Sequence, residues 1–174
     1  MMPIKASGLS ALVLLALLLW AGNAQAVSCQ NNFPASNPDS SYTVHGNGTL
    51  TDARTGLMWK QCTEGLTGVG CQTGSAQTFT WADALVHAEA STFAGYTDWR
   101  LPNVKELSSL VEDCGTSPAI NTNRFPNTPS IGRFWSGSPH ATFGRAWAVS
   151  FYGGGAGGSF RSYEWHVRLV RGGQ

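Results

Sequence analysis

The fold is decided by the stretch FAGYTDWRLPNVKEL, residues 93–107. Directly after Leu101-Pro102, Asn103 has the side chain of a helix N-cap, and Glu106 follows three residues later, as in a capping box. The apolar residues beyond the cap recur with helical spacing at Val104, Leu107, Leu110 and Val111. The stretch therefore predicts a helix that begins after Asn103 and ends at about Asp113.

A second helix is predicted upstream. Thr80 can cap it and Asp83 stands three residues later, while one face carries Trp81, Ala84, Leu85 and Ala88. Its end is predicted near Gly95.

Short strands are predicted on both sides of the helices. Thr49–Asp52 and Leu57–Lys60 form a hairpin, and Phe134–Ser136, Ala146–Tyr152 and Trp165–Val170 follow later in the chain. In the last strand, Val167 and Leu169 should share one face, and His166, Arg168 and Val170 the other. Gly153–Ser159 is predicted as a flexible loop. The pattern favours an α+β domain with a mainly antiparallel sheet.

Composition narrows the class of protein. The 174 residues suit one domain, and 42% hydrophobic residues exclude a disordered chain. With 21 Gly and 8 Pro, a long helix or coiled coil is excluded as well. Only 12% of the residues are charged, which is typical of an extracellular, β-rich domain.

The first residues predict a secretory signal peptide. Lys5 precedes an apolar run of 11 residues, Ala11–Ala21, and Ala24-Gln25-Ala26 offers small residues for cleavage after Ala26. A retained membrane anchor is disfavoured because spanning needs about 20 residues. Lipidation of Cys29 is disfavoured because Ala26-Val27-Ser28 lacks the usual Leu. We therefore expect a signal peptide at 1–26, an extended N-terminal arm at 27–48 and a domain at 49–174.

Four cysteines remain after cleavage, which predicts two disulfides in an exported protein. Sequence alone leaves three pairings open. We favour Cys62–Cys71, because few residues separate them and Gly65, Gly68 and Gly70 let the chain double back; Cys29–Cys114 follows by elimination. A zinc site is disfavoured because no pair has the spacing of zinc ligands.

Charge is divided unevenly along the mature chain. Nine of the ten acidic residues precede Cys114, whereas six arginines follow it together with Glu164 alone. If these arginines share a face, they could attract sulfated or other anionic polymers. Alternatively, they scatter over strands and pair with acids of the other half.

Aromatic residues bracket the glycine run near several of these arginines. Such residues either fill the core or offer flat faces for sugars beside guanidinium groups for sulfate or carboxylate. The candidate ligand-binding residues are Arg133, Arg145, Tyr152, Arg161, Tyr163, Trp165 and Arg168.

The sequence contains none of the catalytic motifs that we considered. G-x-S-x-G and H-E-x-x-H are absent, and a nucleophilic Cys114 beside His140 or His166 is disfavoured because we expect Cys114 to be oxidised. The glycines at 153–158 lack the helix that a dinucleotide site requires. His87, off the apolar face, is predicted to be solvated. We therefore predict no enzyme, no cofactor and no metal site.

Several segments together resemble the Lcl C-terminal domain family, from about Thr49 to Arg171. They are Thr55–Trp59, Trp81–Ala84, Phe93–Leu107, Phe134–Ser136 and Val167–Arg171. The resemblance implies an exported α+β domain related to the C-type-lectin and sulfatase-modifying-factor group. Trp99, Arg100, Pro102 and Glu106 are interpreted as a buried aromatic, a charge partner, a helix entry and a cap.

In the collagen-like adhesin that gives the family its name, the domain binds sulfated glycosaminoglycans and is trimeric. The present chain has no collagen-like repeat, and it lacks the Glu-Pro-Asn and Trp-Asn-Asp motifs of calcium-dependent lectins. We predict an exported, adhesin-like module for anionic or sulfated glycans, located in the periplasm, on the cell surface or in the medium. The alternative is a structural subunit of the envelope or a pilus-like apparatus that binds protein. Oligomers are compatible with both, whereas nucleic acid and a membrane span after signal cleavage are not expected.

Overall fold

The computed structural model describes residues 34–115 and 117–172. The predicted signal peptide and Cys29 lie outside these ranges. Within them, every helix is too short or too polar to cross a bilayer.

Two α-helices and eleven strands make up the described residues, with 3-10 turns at Asp39–Ser41, Val69–Cys71 and Phe93–Gly95. The first part contains β1 (Tyr42–Val44), β2 (Thr49–Asp52), β3 (Met58–Lys60), β4 (Leu66–Thr67), β5 (Thr73–Gly74), β6 (Thr78–Phe79), α1 (Trp81–Glu89) and α2 (Val104–Ser108). The later strands are β7 (Phe134–Pro139), β8 (Arg145–Val149), β9 (Ala156–Phe160), β10 (Trp165–His166) and β11 (Val170–Arg171).

The strands form two main sheets and a small ribbon. One sheet has the antiparallel order β1-β2-β3-β11, and the other has the order β6-β10-β7-β8-β9 with a single parallel pair, β10 and β7. Strands β4 and β5 form the ribbon. The predicted α+β class with mainly antiparallel sheets is confirmed, whereas the C-type-lectin-like architecture stays a prediction.

The predicted hairpin at Thr49–Lys60 is confirmed. Leu50 of β2 pairs with Trp59 of β3, and both side chains are fully buried. In the turn, the carboxylate of Asp52 accepts the Arg54 N–H at 2.9 Å. Strand β1, from the predicted N-terminal arm, pairs with β2, so the arm contributes an edge strand.

Helix α1 begins as predicted and ends earlier. The Thr80 hydroxyl accepts the N–H of Asp83, and Ala84 and Ala88 are buried. The predicted end near Gly95 is wrong: the helix ends at Glu89, and Ala94, with φ 54°, lies in the left-handed region that an α-helix cannot include.

Helix α2 has the predicted capping box between Asn103 and Glu106 but ends at Ser108, short of Asp113. The apolar spacing continues past the helix because the next turn still buries Leu110. Val111 then forms a bridge with Ile120 in place of a further helical turn.

Two late segments differ from their predictions. The predicted glycine loop is a turn followed by β9, which pairs with β8 from Ala156 onward. Trp165–Val170 is two strands in different sheets. The predicted alternation is wrong, because residues 167–170 pass between the sheets and are all buried.

The core has two main parts. One is formed by the four-stranded sheet, α2 and residues of β7 and β8, and it includes Leu50, Trp59, Leu107 and Phe134. The other lies between α1 and the five-stranded sheet and includes Ala84, Trp99, Trp135, Val167 and Leu169. The segment of residues 167–170 contributes to both.

Arg168 occupies the passage between the two sheets and is completely buried. Its Nη1 donates to the backbone oxygens of Lys60 and Gln61, and its Nη2 donates to the hydroxyls of Thr63 at 3.2 Å and Thr128 at 2.7 Å. The guanidinium also lies 4.7 Å from the Phe125 ring centroid. Burial lowers the pKa of Arg168 to about 9, which still leaves it charged at neutral pH.

The Cys62–Cys71 disulfide is confirmed. Both cysteines are buried and pack with Leu66 in a small separate cluster. Because Cys29 lies outside the described residues, the Cys29–Cys114 pairing stays a prediction.

We expect Arg168→Met to lower the free energy of unfolding by roughly 3 kcal/mol or more, because four oxygen acceptors lose their donor in a dry interior. Urea denaturation measures the change. Lys105→Met, which changes an exposed residue, should stay within about 0.5 kcal/mol of wild type. Equal stability of the two variants would contradict the role assigned to Arg168.

Glu106 should make stability depend on pH. Burial alone would raise the pKa of Glu106, but hydrogen bonds from Arg100 and the Asn103 N–H, with the Arg100 charge, lower it below 4.5. Its stabilising contribution is therefore complete above the unfolded pKa and lost as pH falls through the folded pKa. In urea denaturation from pH 6 to 3, Glu106→Gln should flatten this loss, whereas the exposed Glu89→Gln should reproduce the wild-type slope.

Candidate ligand-binding surface

Four of the seven predicted ligand residues come together at one end of the five-stranded sheet. Arg145 begins β8 and pairs with Phe160, the last residue of β9. Arg161 directly follows Phe160 in the sequence. Tyr163 lies just before β10, and Trp165 is the first residue of β10. We call this site the Arg-aromatic surface, defined by Trp81, Arg145, Phe160, Arg161, Tyr163 and Trp165.

Both arginines of this surface are stacked on aromatic rings. The guanidinium carbon of Arg145 lies 4.3 Å from the ring centroid of Phe160, and that of Arg161 lies 4.2 Å from the centroid of Trp81. The Nε of Arg161 donates to the backbone oxygen of Arg145 at 3.1 Å, so the two residues are neighbours. Nε of Arg161 and Nη1 of Arg145 donate to backbone oxygens at 3.1 and 3.4 Å, which leaves the other Nη groups of the two arginines for an anion.

The aromatic residues continue across the surface in edge-to-face contacts. Ring centroids are 5.6 Å apart for Phe160 and Tyr163, and 6.2 Å apart for Tyr163 and Trp165. The indole N–H of Trp165 donates to the Ser159 hydroxyl at 2.7 Å, which anchors the row to β9. Phe160 is 44% exposed and Tyr163 51%, so ring surface is available to a ligand.

The other three predicted residues lie elsewhere. Tyr152 is exposed in the turn between β8 and β9, at the opposite end of that hairpin. Arg133 precedes β7 and its Nη1 lies close to Gly157, where an added Cβ would be 3.2 Å away. Arg168 lies apart from this surface, because it is fully buried and both of its Nη atoms donate to oxygens of the interior.

Trp81 is the residue of the surface that the sequence analysis assigned only to the core. It is the first residue of α1, and its backbone N–H donates to the backbone oxygen of Arg161 at 3.1 Å. The two residues are 80 positions apart in the chain, so no local pattern joins them. The contact became visible only in the folded protein.

The C-terminal arginines divide into paired and unpaired groups. Arg124 lies 3.6 Å from Asp39 and Arg171 lies 2.7 Å from Asp98, so the alternative of pairing with the acidic half holds for these two. Within residues 34–115 and 117–172, Arg133, Arg145 and Arg161 have no carboxylate within 4.0 Å.

Two acidic residues are close in sequence to residues of the Arg-aromatic surface, and the carboxylate of each accepts a hydrogen bond from a threonine hydroxyl. The Asp83 carboxylate accepts from the Thr80 hydroxyl at 2.6 Å, and that of Glu164 accepts from the Thr78 hydroxyl at 3.3 Å. Moreover, Nε of Arg145 is buried without a hydrogen-bond acceptor. Neither carboxylate lies within 4.0 Å of Arg145 or Arg161, so these two arginines have no ion-pair partner among the described residues.

A second polar cluster was missed from the sequence. Buried Glu64 accepts from Lys60 Nζ at 2.8 Å and contacts His87 Nε2 at 2.9 Å. His87 is thus only partly solvated, contrary to the prediction. A groove of about 510 Å³ borders Lys60 and Phe93, whose ring centroid is 4.5 Å from Lys60 Nζ. Unlike the arginines of the surface, Lys60 already has its counter-charge.

A metal site does not emerge from the described part of the chain: none of its clusters has three His, Cys, Asp or Glu residues placed to hold an ion. The absence of a cofactor stays a prediction.

Comparison with known families assigns the domain. The model of the Lcl C-terminal domain matches residues 48–171. The chain belongs to this family. No match was found among curated proteins.

In this Lcl C-terminal domain, the residues of the 93–107 stretch are architectural, as interpreted. Trp99 is buried and its indole N–H donates to the Phe93 oxygen at 2.9 Å. Arg100 forms two hydrogen bonds to Glu106, at 2.7 and 2.9 Å, and a third at 2.9 Å to the oxygen of Gly172. The stretch therefore fastens α2 to the chain beyond β11.

We expect Arg145→Met and Arg161→Met to fold with a modest loss of stability. Each loses a cation–π contact worth about 0.5–1 kcal/mol and one hydrogen bond to a backbone oxygen worth about 1 kcal/mol, but no ion pair. Urea denaturation should place both within about 2 kcal/mol of wild type. A loss as large as that expected for Arg168→Met would mean that these arginines are structural.

Proposed function

We propose that this Lcl C-terminal domain is an exported, non-catalytic module that binds anionic glycans at the Arg-aromatic surface. The observation that carries the proposal is the pair Arg145 and Arg161, stacked on rings and without a carboxylate partner. Elsewhere in the described chain, Arg54, Arg100, Arg124 and Arg171 each have an acid within 4.0 Å. Two adjacent uncompensated cations attract an anion.

The stacked geometry suits a sugar polymer bearing carboxylate or sulfate groups. A guanidinium held flat on a ring presents N–H groups along its edge, where planar or tetrahedral oxyanions accept two hydrogen bonds. The partly exposed rings of Phe160 and Tyr163 offer apolar faces beside these groups for the C–H face of a sugar. The arginines would thus recognise the charge of the ligand, and the neighbouring rings would recognise its shape.

Export is supported by two features. The Cys62–Cys71 disulfide is typical of oxidising compartments, and the family is of an extracellular type. We propose that the signal peptide directs the chain out of the cytoplasm, to the periplasm, the cell surface or the medium. We likewise propose the C-type-lectin-like architecture that the family resemblance implies.

The non-catalytic role is supported by the state of the titratable groups. The Glu64 cluster is internally compensated by Lys60 and His87. The Nδ1 of His140 accepts the Thr142 N–H at 3.0 Å, and His166 Nδ1 contacts the Gln77 oxygen at 3.2 Å. These contacts explain each group without a reaction.

An envelope or pilus subunit that binds protein is the alternative, and the edge of β9 favours it. Strand β9 is the outermost strand of its sheet, so its outer backbone edge pairs with no other described strand. A partner strand could add there. This alternative predicts capture of a protein partner and no retention by a polyanion.

Heparin chromatography tests the proposed function. We expect the protein to bind heparin at low salt and to elute in a salt gradient, because polyanion binding weakens as charges are screened. Arg145→Met with Arg161→Met should weaken binding roughly tenfold or more and elute earlier. Passage of the wild-type protein through the column at low salt would overturn the proposal.

The matched control removes the same formal charge elsewhere. Arg124→Met with Arg171→Met deletes two arginines that are already paired with Asp39 and Asp98. We expect this variant to elute close to wild type. Equal shifts for both double variants would show that net charge, rather than the Arg-aromatic surface, determines retention.

A further inference from the structure

Phe143 projects from the loop between β7 and β8 and is 99% exposed. Among the described large hydrophobic residues, only Val69 at 98% is comparable, and Tyr152 follows at 65% among the aromatics. A ring in this position has protein contact on neither face and gives nothing to the core. The exposure of Phe143 therefore indicates that this ring contacts an apolar environment outside the domain.

The loop holds Phe143 in place by backbone contacts. The N–H of Arg145 donates to the Thr142 oxygen, and the N–H of His140 donates to the Arg145 oxygen, both at 3.2 Å. The oxygen of Gly144 accepts the N–H of Arg161 at 3.0 Å, which ties the loop to the end of β9. Phe143 is thus presented on a constrained turn.

Packing at the base of the loop supports this presentation. The His140 ring lies 4.6 Å from the Trp147 ring, centroid to centroid, and occupies space that a Cβ on Gly158 would approach within 2.9 Å. Gly158 must therefore lack a side chain for His140 to pack there. The loop is built into the sheet on the side where Arg145 and Phe160 are paired.

The surroundings of Phe143 are cationic and aromatic. Arg145 follows it by two residues, and Arg161 is bonded to the adjacent Gly144. Both arginines are half-buried, whereas Phe143 is almost fully exposed to solvent. An exposed apolar ring with two arginines close to it combines the two kinds of side chain that an anionic bilayer binds at its interface, one for the acyl boundary and one for the headgroups.

We propose that Phe143 inserts into the interface of an anionic lipid bilayer while Arg145 and Arg161 contact its headgroups. This inference shares those two arginines with the proposed function and adds Phe143. A lipid surface is favoured over a sugar for this ring, because a sugar covers one face of a ring whereas a bilayer removes both faces from water. Complementary charge comes from the two arginines without carboxylates.

Vesicle sedimentation tests the proposal. We expect the purified protein to pellet with vesicles of equal parts phosphatidylcholine and phosphatidylglycerol and to stay in solution with phosphatidylcholine alone. Phe143→Ala should weaken vesicle binding roughly tenfold or more, because one buried ring is lost. Phe143→Trp should retain binding, since Trp is favoured at the interface. Tyr152→Ala, an exposed aromatic change at the far end of the β8–β9 hairpin, should bind as wild type.

The same variants on heparin separate the two proposals. Phe143→Ala should elute from heparin as wild type, while Arg145→Met with Arg161→Met should lose both activities. Failure to pellet with the anionic vesicles, equal pelleting with neutral vesicles, or unchanged vesicle binding of Phe143→Ala would overturn the lipid proposal. Loss of heparin retention alone would overturn only the proposed function.

Discussion

The guanidinium of Arg168 lies in the interior, where a cation is stable only if oxygen atoms replace its hydration water. Those oxygens come from the end of β3, from Thr63 and from Thr128 in the loop before β7. One side chain thus positions three segments at the passage between the sheets. Because β10 and β11 flank Arg168 on either side, the pairing of both sheets depends on where it sits.

Local chemistry made much of this fold predictable. The caps at Thr80 and Asn103, the hairpin at Thr49–Lys60 and the Cys62–Cys71 disulfide each depend on residues close in sequence. The helix ends were missed because Leu110 and its neighbours keep helical spacing while the backbone has already turned. The division of Trp165–Val170 was missed because burial on all sides removes the alternation that strand prediction requires.

The candidate surface was predictable only in part, for a related reason. Composition showed an arginine-rich later region, but only folding shows which arginines meet acids: Arg171 has Asp98, and Arg161 has the ring of Trp81. The sequence does not distinguish Arg168 from the exposed arginines, because a buried arginine and an exposed arginine fit the same pattern of alternating residues. The role of each arginine in this domain therefore depends on the residues it contacts and not on its position in the sequence.

Strand β11 gives the folding of the domain a particular order. It closes the four-stranded sheet by pairing with β3, and the Lys60–Arg168 contact beside it spans 108 positions. Contacts of such long sequence separation form slowly, because a large loop must close before they stabilise anything. The β2–β3 hairpin, which is synthesised early, is therefore completed into its sheet only after β11 has been synthesised.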